Sequence, residues 1–241
     1  MPVLIGTAGW SLPKAEQQNF VSAGSHLERY ATKFPVAEIN SSFHRSHRAA
    51  TWIRWRDSVP ASFRFSVKMP KSITHTQRLG ETDEMVRAFL DEAGVLGSKL
   101  GCVLVQLPPS LAFDRGVASK FFSSLREQTQ VTLACEPRHE TWFNTEADEL
   151  LTKFEVARVA ADPPRVPGGS SPGGWRGLSY YRLHGSPRVY YSAYEPEFIA
   201  ALAARVSDDK QAGRDVWLIF DNTTLGAATR NARELAQALT M

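Results

Sequence analysis

Several short stretches of this 241-residue chain set proton-handling and anion-handling side chains directly behind β-rich runs. In VTLACEPRHETWF (131–143), Glu136, Arg138 and His139 follow such a run. A carboxylate takes and returns protons, while a neighbouring guanidinium clamps an anionic group and tunes that carboxylate. In YRLHGSPR (181–188), His184 is a proton-transfer candidate, Gly185 lets backbone approach a ligand, and Ser186 and Arg188 suit phosphate. Lys68 ends FRFSVK (63–68) as a phosphate contact, a base or Schiff-base amine if desolvated, or half of an internal ion pair. DNTTLG (221–226) sets Asn222 and Thr223 where a helix opens, a place that favours an anion and equally needs an ordinary cap. Asn40 and Gln106 close the runs VAEIN and CVLVQ. Glu136, His184 and Lys68 are thus the catalytic candidates. Asn40, Gln106, Arg138, Gly185, Ser186, Arg188, Asn222 and Thr223 are the ligand-binding candidates.

These groups need elements to position them. Strands are expected at 3–6, 36–40, 64–68, 102–106, 131–136, 158–162, 180–184 and 216–221, from short apolar runs rich in β-formers. Helical spacing fills most gaps: 82–96 with Met85, Val86, Phe89, Leu90 and Ala93; 114–127 with Val117, Phe121, Phe122 and Leu125; then 146–154, 196–206 and 226–239. Thr145 and Asp148 suggest a capping box, and Pro196 suits a first helical turn. Eight strands alternating with helices predict one (β/α)8 barrel over residues 1–241. The stretch PPRVPGGSSPGGWRG (163–177) is too rich in Gly and Pro for a helix, so the sixth helix should be replaced by a loop, either a lid or a mobile surface segment.

Successive strand side chains face opposite ways. Phe63, Phe65, Val67 and Met69 should therefore pack on the helices, while Arg64, Ser66 and Lys68 point into the barrel. The same parity sends Glu38, Glu136, Arg158, Asp162, Arg182, His184 and Asp221 inward. Glu38, Glu136, Asp162 and Asp221 then balance Arg64, Lys68, Arg158 and Arg182 in an ion-paired interior, with Glu38, Arg64 and Arg182 mutually paired. Ligand sites of such barrels lie at the C-terminal ends of the strands, where the candidate residues sit.

A net charge of +3 is a mild basic excess that favours anionic ligands and falls short of a nucleic-acid-binding tail. The Arg- and Trp-bearing stretch 44–57 reads as a helix with Ile53 and either Trp52 or Trp55 inward and Arg48, Arg54 and Arg56 in solvent, so nucleic acid is not the favoured partner. Tyr190, Tyr191 and Tyr194 offer rings for stacking or ordinary packing. Cys102 and Cys135 sit in apolar runs as core residues of a reducing, cytoplasmic setting, with no signal peptide and no membrane span expected. No HxH, HExxH or CxxC spacing occurs, so a divalent metal has only rim His, Glu and Asp in its favour and no cofactor is expected.

GTAGW (6–10), EINSSFHR (38–45), FRFSVKMPKSITH (63–75), QLPPS (106–110), EPRHETWF (136–143), YRLHG (181–185) and FDNTTLGAATRNARELAQAL (220–239) together resemble the YecE-like family, domain-of-unknown-function family seventy-two. The resemblance runs through nearly the whole chain in order. It implies a TIM-barrel-like fold and a shared pocket, and it implies no reaction. FDN and FHR depart from the family's more usual residues, which detaches Asp221 and His44 from the shared pattern. The expected activity is acid–base chemistry on an anionic, phosphorylated or sugar-like small molecule. A metal-assisted phosphodiester hydrolase acting on nucleic acid and a non-catalytic anion-binding protein are the alternatives.

Overall fold

The computed structural model describes residues 2–240. Ten strands form one sheet: β1 (Val3–Ala8), β2 (Val36–Ile39), β3 (Arg64–Lys68), β4 (Leu100–Gln106), β5 (Thr132–Glu136), β6 (Val156–Arg158), β7 (Ala160–Asp162), β8 (Gly173–Gly174), β9 (Leu178–Leu183) and β10 (Asp215–Phe220). Their order is β7-β9-β10-β1-β2-β3-β4-β5-β6-β8. Only the two-residue β8 pairs antiparallel, with β6. β6 and β7 are pieces of one segment interrupted at Val159; β6 pairs with β5 and β7 with β9. The sheet therefore curls into an eight-stranded barrel whose seam is that break.

Seven helices follow the strands: α1 (His26–Ala31), α2 (Ala49–Asp57), α3 (Asp83–Gly94), α4 (Arg115–Gln128), α5 (Thr145–Lys153), α6 (Pro196–Gln211) and α7 (Ala227–Ala238). The broken strand alone lacks one, as the Gly- and Pro-rich stretch requires. α4 opens on Asp114, whose side chain accepts from the Val117 N–H, and buries Ala118, Phe121, Phe122 and Leu125 while Val117 stays exposed. α5 is capped by Asn144, whose Oδ1 accepts from the Ala147 N–H, so the expected Thr145–Asp148 box is displaced by one residue. On α2, Trp52 is buried and Ile53 faces solvent, which corrects the expected orientation of Ile53. α6 runs to Gln211, well past the expected end at 206.

The core has two compartments. Phe63, Phe65, Val67 and Met69 are buried in the larger one, between strands and helices, as their parity predicts. Each such side chain contributes ~1.5–3 kcal/mol of burial. The smaller compartment plugs the barrel from within: Val36, Cys102, Leu104, Ala134, Ala157, Val159, Tyr180, Trp217 and Ile219. The lumen is thus apolar over part of its length and polar at the strand ends.

Three inward assignments are corrected. Arg64 opens β3 at the barrel mouth, half-buried, and its Nη1 donates to the carbonyls of Ala61 and Phe63, not to Glu38. Arg158 lies outside the lumen because the strand has the opposite parity: Ala157 and Val159 face inward, and Val156, Arg158 and Ala160 face the helices. Its guanidinium donates to Asp148 on α5 (2.8 Å) and covers the Phe143 ring (4.7 Å). Asp162 lies outside the ionic cluster, its carbonyl accepting from the His184 N–H (2.7 Å) and the Tyr194 hydroxyl (3.0 Å). The Arg158–Asp148 pair also anchors the loop: Asp148 Oδ1 accepts from the Gly174 N–H (3.2 Å), and the Gly169 carbonyl accepts from the Ala161 N–H (2.8 Å). A Cβ on Gly173 would lie 2.2 Å from the Arg158 guanidinium, so a side chain there would push that group off Asp148.

Candidate functional site

Arg182 on β9 is the hub of the polar lumen. At 1% exposure its guanidinium has no recourse to water, so every donor must be met inside. It forks onto Glu38 of β2 (Nη2–Oε1 2.7 Å, Nε–Oε2 3.0 Å), and it also donates to Glu136 Oε2 (2.6 Å) and Asp221 Oδ2 (3.1 Å). Arginine suits this role, since its planar fork presents five donors in fixed directions. The Tyr180 hydroxyl closes the inner side, 2.9 Å from Glu38 Oε2 and 2.8 Å from Ser66 Oγ.

Glu136 ends β5 between two guanidinium groups. Arg138 donates twice to its Oε1 (3.0 and 3.1 Å), Arg182 and Gln106 Nε2 donate to its Oε2, and His184 Nε2 lies 3.3 Å from Oε1. Burial pushes the Glu136 carboxyl up, but the charges of Arg182 and Arg138 and the bond to His184 together outweigh it and hold its pKa well below the carboxylate range. Glu136 is a fixed anion. His184 is bracketed by carboxylates on both ring nitrogens, with Nδ1 3.0 Å from Asp221 Oδ2. Burial opposes its protonation, yet the bonds to Asp221 and Glu136 raise its pKa above the usual value and favour the imidazolium. Asp221 is held low in turn: burial raises it, and Arg182 and His184 more than reverse that.

Lys68 is the exception among these cations. It is buried at the end of β3, and no carboxylate oxygen lies within ion-pairing distance of its Nζ among the described residues. The Nζ instead sits 4.1 Å over the Phe43 ring. Burial first, and then the charge of Arg182, lower its pKa to about 8, against weaker support from Glu38, Glu136 and Asp221. Glu38, Glu136 and Asp221 are met by the guanidinium groups of Arg182 and Arg138 and by the His184 ring, and none of the three pairs with the Lys68 ammonium.

The structure gathers Glu136, His184, Lys68, Gln106 and Arg138 at the strand ends. Asn40 joins them with a buried Oδ1 that has no hydrogen-bond partner. A cavity of about 260 Å³ opens beside Glu136 and His184, lined also by Arg138, Phe143, Arg165 and Tyr190, while Lys68, Gln106 and Asn40 are not part of its wall. The loop expected as a lid or mobile segment supplies Pro163, Pro164, Arg165, Val166 and Gly169 to its wall. The remaining predicted residues sit apart from this cavity. Both amide hydrogens of Asn222 are engaged, by the Ser192 carbonyl (2.9 Å) and Asn231 Oδ1 (3.0 Å), while its buried Oδ1, like that of Asn40, has no hydrogen-bond partner. Gly185 has φ +92° and its N–H bonds the Tyr194 hydroxyl, so its glycine character answers a tight turn. Arg188 stacks on Tyr191 (3.7 Å), and Ser186 and Thr223 are exposed. Sequence reasoning placed Glu38, Arg182 and Asp221 in the lumen without seeing them as the site's frame. It missed Arg165 and Phe43 altogether, and no spacing signal marks either.

Among the described residues no group of three or more His, Cys, Asp or Glu side chains is placed to hold a metal ion. No helix is long and apolar enough to cross a membrane.

The model of a family described as "Protein of unknown function DUF72" matches residues 4–241. The UPF0759 protein YunF of Bacillus subtilis (strain 168) is 23% identical across 98% of this chain and 94% of its own length. The UPF0759 protein YecE of Escherichia coli (strain K12) is 32% identical over 106 residues, 44% of this chain and 38% of that protein. A crystal structure of a DUF72 family protein from Enterococcus faecalis V583 superposes with a TM-score of 0.83 at 21% identity, covering 100% of this chain and 96% of that one, which shows a shared fold.

Proposed function

The chain belongs to the DUF72 family, and from that premise we propose that it is an enzyme performing acid–base chemistry on an anionic small molecule, phosphorylated or sugar-like, at the C-terminal end of the barrel. One observation carries the reading: a buried lysine that no carboxylate pairs, beside carboxylates that arginines and His184 already engage. Holding an unpaired ammonium out of water is costly, and an incoming anion relieves that cost. Lys68 is then the proton carrier, Glu136 a fixed negative charge, and His184 an imidazolium oriented from both sides. Arg138 and Arg165 line the cavity as guanidinium contacts for phosphate or carboxylate. Metal-assisted hydrolysis of nucleic acid finds less support, because the carboxylate oxygens it would need face guanidinium groups.

The test is titration of inorganic phosphate against backbone amide signals at pH 7 and again above pH 9. Shifts at Arg138, Arg165 and Tyr190 that weaken as Lys68 loses its charge are expected. No movement at millimolar phosphate, or binding indifferent to pH, overturns the reading. Tight binding of a ligand that is never altered would assign the pocket to a binding protein instead.

A further inference from the structure

We propose that Lys68 is a nucleophilic amine that forms an imine with the aldehyde or ketone group of an anionic carbonyl compound. This rests on the reading of an anionic ligand above and gives it a substrate class. Every other cation of the lumen is held by carboxylates: Arg182 by three, Arg138 by Glu136, His184 by two. Lys68 has none within reach. Its carbonyl accepts from Ser42 Oγ (2.7 Å), which fixes the strand end, while its Nζ has no hydrogen-bond partner and is not among the fully enclosed polar atoms that lack one. The amine is thus sheltered and still reached by solvent.

Phe43 links this amine to open space. The ring under Nζ also lines a groove of about 730 Å³ with His44, Lys71 and Ile73. His75 packs edge-on against the same ring, 5.0 Å between centroids. Thr74 Oγ1 holds its Nδ1 at 2.8 Å, and burial, with the charges of Lys68 and Arg138, lowers its pKa to about 4, so it stands there as a neutral base. A lysine desolvated beside other cations is the setting that activates an amine. With a pKa near 8, about a tenth of Lys68 is neutral at pH 7, several-hundredfold more than for an ordinary lysine.

The step balances. The neutral amine adds to the carbonyl carbon, and the proton it sheds and one from solvent go to the carbonyl oxygen, which leaves as water. Ammonium plus carbonyl compound gives iminium plus one water, with no oxidant or reductant. The iminium withdraws electrons from the adjacent carbon and acidifies its C–H bond. The buried, unpartnered Oδ1 of Asn40 is an acceptor suited to a substrate hydroxyl. Sugar phosphates and 2-oxo acids share the chemistry of a carbonyl tied to an anion.

The experiment is reductive trapping on the full chain near pH 8 with cyanoborohydride and, separately, glycolaldehyde phosphate, pyruvate or uncharged glycolaldehyde, followed by intact mass and peptide mapping. One adduct at Lys68 is expected, forming at least tenfold faster with an anionic probe than with glycolaldehyde and slowed by inorganic phosphate. The faster of the two anionic probes tells phosphate from carboxylate. Lys68→Arg, which keeps the charge, should take no adduct there. Labelling spread over exposed Lys14, Lys33 and Lys120 at the rate of Lys68, or no label at Lys68, overturns the proposal. If phosphate still shifts the cavity amides while Lys68 stays unlabelled, the covalent step fails and the anionic site stands. If neither occurs, both fail.

Discussion

Replacing Lys68 by methionine should make the protein more stable at neutral pH. Methionine keeps the length and apolar body of the side chain and removes the ammonium, leaving Phe43 an uncharged neighbour. Burial and the charge of Arg182 lower the Lys68 pKa from 10.5 to about 8. That difference of roughly 2.5 units corresponds to about 3 kcal/mol held against the folded state. Below about pH 8 the lysine is protonated in both states, and the folded state bears the whole penalty. Between about 8 and 10.5 the folded protein has released the proton while the unfolded chain keeps it, so stability rises with pH and the penalty disappears. Lys68→Met should therefore gain about 3 kcal/mol at pH 7 and almost nothing near pH 11. For a chain of this size the gain is roughly 6–12 °C in Tm. Urea unfolding followed by tryptophan fluorescence at both pH values measures it. A loss of stability at pH 7, or a gain that ignores pH, would refute the reasoning. A residue whose removal stabilises the fold is retained for something other than folding.

Arg182→Met strands Glu38, Glu136 and Asp221 together and should cost at least ~3–5 kcal/mol in chemical denaturation, whereas Arg64→Met, which loses only bonds to two carbonyls at the mouth, should stay within about 1 kcal/mol; equal losses would show the lumen frame to be misassigned. Glu136→Gln removes one of the two carboxylates that favour protonated His184, so the His184 pKa read by NMR titration should fall, and turnover of an identified substrate should drop ~10²–10⁴-fold. An unmoved His184 titration would mean that Asp221 alone sets it.

The barrel and its missing helix were legible because strand period, helical spacing and a run of Gly and Pro are local properties of the chain. So was the convergence of Asn40, Lys68, Gln106, Glu136 and His184, since parity gives direction and the strand end gives depth. Arg64 shows the limit: it has the inward parity of Lys68 but lies four residues earlier, at the wet end of the strand. Arg158 failed because the strand's parity was read from its charged residues, whereas the small apolar Ala157 and Val159 are the ones that face inward and Arg158 pairs with Asp148 outside. The Asn222 amide hydrogens and the Gly185 N–H look like ligand donors until Ser192, Asn231 and Tyr194 arrive from elsewhere to engage them. The charge of Glu136 was beyond local reading for the same reason, because it depends on Arg182, 46 residues away, outweighing burial.

The fork between Glu38 and Arg182 also has a timetable. The two residues are 144 positions apart, so a ribosome making ~5–20 residues per second completes the carboxylate roughly 7–30 s before its partner. Throughout that interval the first half-barrel holds Glu38 without its guanidinium, and β1 has one edge unpaired until β10, the last strand, emerges to close it. Burying a lone carboxylate is unfavourable, so the nascent chain is driven to keep the lumen open to water and to delay collapse around it. The charge pair that locks the finished barrel thereby leaves the half-made one with an unmet carboxylate, and the barrel can close only once β9 and β10 have been made.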